Sequence, residues 1–105
     1  MSIKKGIYSA SMSVFNGDLS LDVDSTIKHA EKVISEGCHG AVLFGSTGMA
    51  QLISSDEKKS LIDKISTNKL KDFFIMGTGA NSLNENIQLM KYSINNGIDR
   101  FLLMP

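Results

Sequence analysis

An excess of charge of either sign is missing from this chain: eleven Lys and Arg balance eleven Asp and Glu over 105 residues, for a formal net charge of zero. Charges so balanced and interspersed leave no electrostatic footprint for nucleic acid and no polybasic stretch for a membrane surface. Cysteine is nearly absent, and the lone Cys38 excludes an internal disulfide framework. Long apolar runs are absent too, since none approaches the ~20 residues needed to span a bilayer. The opening Met1-Ser2-Ile3-Lys4-Lys5-Gly6 leads into Ile7-Tyr8-Ser9-Ala10-Ser11, too short and polar for a signal-peptide core. These absences predict a cytoplasmic protein with no nucleic-acid or membrane partner. Neither His29 nor His39 has a Cys, Asp or Glu pair at metal-ligand spacing, so no metal and no cofactor are expected.

What is present is ordinary globular chemistry, with 42% hydrophobic and 21% charged residues. The length suits a single domain. Short apolar runs alternate with amphipathic stretches, the pattern of buried parallel strands joined by helices. The runs are Ala41 to Phe44, Phe73 to Met76 and Phe101 to Met104, with a weaker first strand over Lys5 to Ala10.

Ile27, Ala30 and Ile34 predict a first helix from Val23 to Glu36, capped by Asp24 or Asp22 and stopped by Gly37. Ser54 and Glu57 stand at capping-box spacing before a second helix that buries Leu61, Ile62 and Ile65 and ends near Asn68. Ser82 and Glu85 repeat the device, followed by Leu83, Ile87, Met90 and Ile94 on one apolar face and by Gly97. The result is βαβαβαβ, which fits a small open sheet, a shortened flavodoxin-like domain, or the first units of a (β/α)8 barrel.

In any parallel βα architecture the chemistry sits at the carboxyl ends of the strands. Gly45-Ser46-Thr47-Gly48 follows the second strand, where two hydroxyls and free backbone N–H groups could wrap a carboxylate or phosphate oxygen. Without further context the same four residues are equally a Gly/Ser turn with no ligand. A P-loop is excluded because no Lys follows the glycine. Gly77-Thr78-Gly79-Ala80-Asn81-Ser82 fails the dinucleotide fingerprint at its last position and reads as a sharp turn over the sheet edge. His39 and Cys38 lie at the opposite, amino end of the second strand, His39 reading as a bystander or packing residue and Cys38 as a small buried filler, and Asp56-Glu57-Lys58-Lys59 reads as a solvated helix face.

Gly45-Ser46-Thr47-Gly48 followed by Leu52-Ile53-Ser54 and Glu57 resembles the signature loop of the dihydrodipicolinate synthase and N-acetylneuraminate lyase family. Gly77 to Ser82 resembles the segment after that family's third strand, and Asn96 to Pro105 its fourth strand with the closing proline. The resemblance spans nearly the whole chain. It implies the N-terminal part, about the first half, of a (β/α)8 (TIM) barrel, forming one α/β domain fragment over residues 1–105 and assembling as a homo-oligomer, typically a tetramer. It also implies a carbon–carbon lyase or synthase that forms a lysine Schiff base with pyruvate or another small 2-oxo acid. By that resemblance Ser46 is the catalytic hydroxyl of a proton relay near the keto acid, and Thr47, with Ser46, holds its carboxylate. Gly45 and Gly48 shape the loop. The Schiff-base lysine and relay tyrosines are expected beyond Pro105, so this chain alone is expected to be inactive. Met49 stands where the family usually has Glu, and Ser13-Val14-Phe15 where it commonly has Thr-Pro-Phe. These departures leave open a non-catalytic 2-oxo acid-binding relative, and the open edge strands a half-barrel scaffold.

Overall fold

The computed structural model describes residues 5–45, 47–80 and 82–103. Four parallel strands lie side by side in chain order: β1 (Tyr8–Ala10), β2 (Gly40–Leu43), β3 (Phe74–Gly77) and β4 (Phe101–Leu102). They are joined by helices α1 (Val23–Ser35), α2 (Ser55–Ile65) and α3 (Leu83–Asn95). The expected βαβαβαβ order and the single parallel sheet are therefore present.

Each helix begins where a side chain meets its free amides. Asp22, not Asp24, caps α1 by accepting from Ser25 N–H, and that bond together with the Ser25 hydroxyl holds the Asp22 carboxyl below its usual value. At α2 both arms of the capping box form: Ser54 Oγ accepts from Glu57 N–H, and Glu57 accepts from Ser54 N–H. At α3 only the Ser82 arm matches the expectation. The second clamp comes from Asn86, whose side-chain amide bonds the Ala80 N–H and the Ala80 and Ser82 carbonyls.

Consecutive helices are linked by polar pairs: Lys64 with Asp24 at 2.9 Å, Asn68 just past α2 with Glu31 at 3.2 Å, and the Tyr92 hydroxyl on the Asp63 carboxylate. The helices thus form one layer on one side of the sheet, as right-handed crossovers of a barrel segment require. Register assigns the two faces. Ala41 pairs with Phe74, Leu43 with Met76 and Met76 with Phe101, and these residues pack with Leu61, Ile62 and Ile65 in the core. The alternate set, Ala10, Val42, Ile75 and Leu102, faces the other way. Leu102 remains 42% exposed there.

Several boundaries move. The first strand is limited to Tyr8–Ala10, and β2 ends one residue early because Phe44 turns into the left-handed region at φ 59°. Residues Lys71–Phe73 form a 3-10 turn, which leaves Phe73 outside β3 and shifts that strand to include Gly77. α2 stops at Ile65, and the expected strand end at Met104 lies outside the described residues. The apolar face expected for α3 is also wrong as a core face. Leu83, Ile87 and Ile94 are 77%, 41% and 52% exposed, whereas Leu89 and Ser93 are buried. Tyr92, which touches α2, lies on the opposite side of the helix from that exposed stripe, so the stripe points away from both α2 and the sheet.

Candidate active site

The loop after β2 is bracketed by two unusual residues. Phe44 before it and Met49 after it both adopt left-handed backbone, at φ 59° and 58°. Neither is a residue type that takes this conformation cheaply, and such positions concentrate at ligand-binding turns. Between them the loop is closed on itself by Ala50 N–H donating to the Gly45 carbonyl at 3.3 Å. It then runs through a short 3-10 turn, Ala50–Leu52, to the Ser54 cap of α2.

The segment after β1 supports this loop from below. Ser13 Oγ donates to the Gly48 carbonyl at 2.6 Å. A Cβ on Gly48 would lie 3.0 Å from the Ser11 carbonyl and 3.3 Å from Phe44 N, so the steric demand for glycine falls here. At Gly45 a Cβ would meet, among the described residues, only Leu102 at 3.7 Å, an ordinary contact. Thr47 is exposed to solvent. Ser46, the expected relay hydroxyl, lies outside the described residues. Ser11 was not singled out in the sequence; it is buried, and its hydroxyl has no hydrogen-bond partner among the described residues.

The loop after β3 closes the other flank. A Cβ on Gly77 would overlap the Phe44 carbonyl oxygen at 2.2 Å, because the turned backbone of Phe44 presents that oxygen to β3. Gly79, at φ 56°, packs against the Ala50 methyl so closely that its own Cβ would sit 2.2 Å away. Three strand ends therefore converge at one carboxyl edge: Ser11 to Ser13, Gly45 to Met49, and Gly77 to Ala80.

Glu57 and Lys58 do not form part of a solvated face. Glu57 Oε2 accepts from the Leu21 N–H at 2.6 Å, and this bond, with those from Ser54, holds its carboxyl below the ordinary value. Lys58 is 3% exposed, and its Nζ donates to the Thr78 carbonyl at 2.7 Å. Burial pushes its ammonium below the usual lysine value, opposed by the charge of Glu85. The signal was in the spacing, since positions 58, 61, 62 and 65 follow the i, i+3, i+4, i+7 rule of one helix face. The expectation rested on residue type instead of position. His39 stands at the far end of the sheet, where its Nδ1 accepts from the Ile7 N–H at 2.9 Å, and Cys38 beside it is half-buried. No group of three metal-ligating side chains occurs among the described residues.

The model of the dihydrodipicolinate synthetase family matches residues 4–105, the same stretch that carries these three converging loops. The chain belongs to the dihydrodipicolinate synthetase family. A 4-hydroxy-tetrahydrodipicolinate synthase of Rhizobium meliloti is 33% identical over 101 residues, covering 95% of this chain and 34% of that protein. The crystal structure of dihydrodipicolinate synthase from Agrobacterium tumefaciens superposes with a TM-score of 0.84 at 27% identity, over 95% of this chain and 35% of its own. A 2-keto 3-deoxygluconate aldolase from Picrophilus torridus gives a TM-score of 0.85 at 26% identity, over 98% and 37%. This dihydrodipicolinate synthetase-family chain thus spans about a third of the length of such relatives. Its four strands and three outer helices are a βαβαβαβ portion of the family's (β/α)8 barrel. In that frame Val42 and Ile75 face the barrel interior, and the loop of Thr47 lies at its carboxyl-terminal mouth.

Proposed function

We propose that this chain is one part of a single barrel domain whose complete protein is a carbon–carbon lyase or synthase acting on pyruvate or another small 2-oxo acid. The nucleophile is a lysine outside this chain that forms a Schiff base with the keto carbon. Thr47 holds the carboxylate with its hydroxyl and N–H, and Ser46 relays a proton beside the bound keto acid. Gly45 and Gly48 shape the loop that carries them. The observation that carries this reading is the loop held between left-handed Phe44 and Met49 at the convergence of three strand ends. Such strain is maintained only where the surroundings over-determine it.

Aspartate semialdehyde is one candidate second substrate, in keeping with the synthases among the relatives, and would make the reaction a step of lysine biosynthesis. A sialic acid and a 2-keto-3-deoxy sugar acid, the latter as in the named aldolase, are the others, each as a substrate of cleavage. Homotetrameric assembly in the cytoplasm is part of the same proposal. No helix among the described residues is long and apolar enough to cross a membrane.

Lys58 meets the burial requirement for a reactive amine but not the positional one. Its side chain lines the space between sheet and helices together with Ile62, Met76 and Leu89, on the face opposite Val42 and Ile75. The test is to incubate the complete protein and the 105-residue chain with pyruvate and borohydride and weigh each intact. We expect one stoichiometric reduced adduct on the complete protein and none on this chain. An adduct on a lysine of this chain would move the catalytic centre into it, and no adduct on either would remove the Schiff-base reading.

A further inference from the structure

Lys58 occupies a position at which an apolar side chain would complete the α2 core face without burying a charge. Around its stem are Ile62, Met76 and Leu89, which border a cavity of only about 10 Å³. That space is about one water in size. Its acceptor is the Thr78 carbonyl, at the point where β3 ends and its loop begins. A charge-assisted bond to a backbone carbonyl fixes that peptide's orientation more firmly than a neutral contact.

The next residue is Gly79, in left-handed backbone, which abuts Ala50. Ala50 is fully buried, and its N–H closes the Gly45 to Met49 loop on the Gly45 carbonyl. A continuous mechanical path therefore runs from the Lys58 ammonium through Thr78, Gly79 and Ala50 to the loop that bears Thr47.

We infer that Lys58 is a positioning residue for the Gly45–Gly48 loop, acting through the Thr78 carbonyl and the Gly79–Ala50 contact. It touches no substrate. This inference rests on the reading of that loop as the 2-oxo acid cradle, and the experiment separates the two. In the complete protein, Lys58→Met keeps the volume and removes the donor, while Lys58→Arg keeps the charge and donors. Two quantities are measured for each: the KM and kcat for pyruvate, and amide exchange by segment. Lys58→Met is expected to raise KM about tenfold with kcat within about twofold, and Lys58→Arg to recover most of the loss. Exchange is expected to quicken at residues 45–50 and 78–80 and to stay unchanged in α1. If Lys58→Met does not fold, Lys58→Gln, with an N–H donor on a shorter arm, is read by the same two measurements. Unchanged KM with unchanged loop exchange overturns the inference, as does exchange that rises equally in α1 and the loop. If the unsubstituted protein neither traps nor turns over pyruvate, the function reading fails, while the exchange comparison still decides whether Lys58 positions the loop.

Discussion

Ser13 Oγ reaches across from the segment after β1 to the Gly48 carbonyl at 2.6 Å, so the first strand's exit braces the second strand's loop. Ser13→Ala removes that bond and leaves a part-buried carbonyl without it. We expect a loss of about 1 kcal/mol in urea unfolding and a raised KM for the keto acid in the complete protein. Ser13→Thr, which retains the hydroxyl, should preserve both. An unaltered KM in Ser13→Ala would mean the brace does not govern the loop.

The glycines at this sheet edge are not equivalent. Gly79→Ala forces a methyl onto Ala50 and a side chain into left-handed backbone, with an expected cost above about 1 kcal/mol. Gly45→Ala meets only Leu102 among the described residues, at 3.7 Å, and should stay within about 0.5 kcal/mol. Comparing thermal midpoints of the two variants checks the ordering.

Glu57 links stability to pH. Its carboxyl is held below the ordinary value by the Leu21 amide and by Ser54, so the unfolded chain binds the proton more readily. The stabilisation is therefore fully present above the unfolded value near 4.5 and is lost as pH falls through the lower folded value. Urea unfolding at pH 7 and pH 3 should show Glu57→Gln less stable than the parent at pH 7, with the gap narrowing at pH 3. A gap independent of pH would remove Glu57 from the acid response.

On α3 the burial of Leu89 and the exposure of Ile87 predict unequal costs. Leu89→Ala should lose about 2–5 kcal/mol, and Ile87→Ala no more than about 1 kcal/mol. Denaturant midpoints for this chain distinguish them, and equal losses would restore Ile87 to the core.

Much of this fold was legible because it rests on local chemistry. Asp22, Ser54 and Gly97 mark helix ends by the hydrogen bonds and left-handed backbone they supply, and the apolar runs at β2 and β3 mark strands buried on at least one face. What escaped depends on neighbours distant in sequence. The left-handed turn at Phe44 is fixed by close approach to Gly77, which no local pattern encodes. Lys58 can be buried because the Thr78 carbonyl, twenty positions on, accepts a hydrogen bond from its ammonium. The apolar stripe of α3 has correct helical periodicity, yet periodicity does not say which element covers a face. For the site, family-like motifs marked the loop of Thr47, whereas the brace from Ser13 and the buried hydroxyl of Ser11 required the folded geometry.

The paired left-handed residues Phe44 and Met49 also define what could be transplanted. Entry and exit directions of the intervening segment are set by backbone geometry at its two ends, and the Phe44 carbonyl tolerates no side chain at position 77. An engineer grafting a different recognition loop onto this sheet edge would be free to vary the residues between those hinges other than Gly48, where a Cβ would crowd the Ser11 carbonyl. Both hinge conformations and the glycine opposite would have to be kept, so that the scaffold accepts new sequences as interchangeable inserts in a fixed socket.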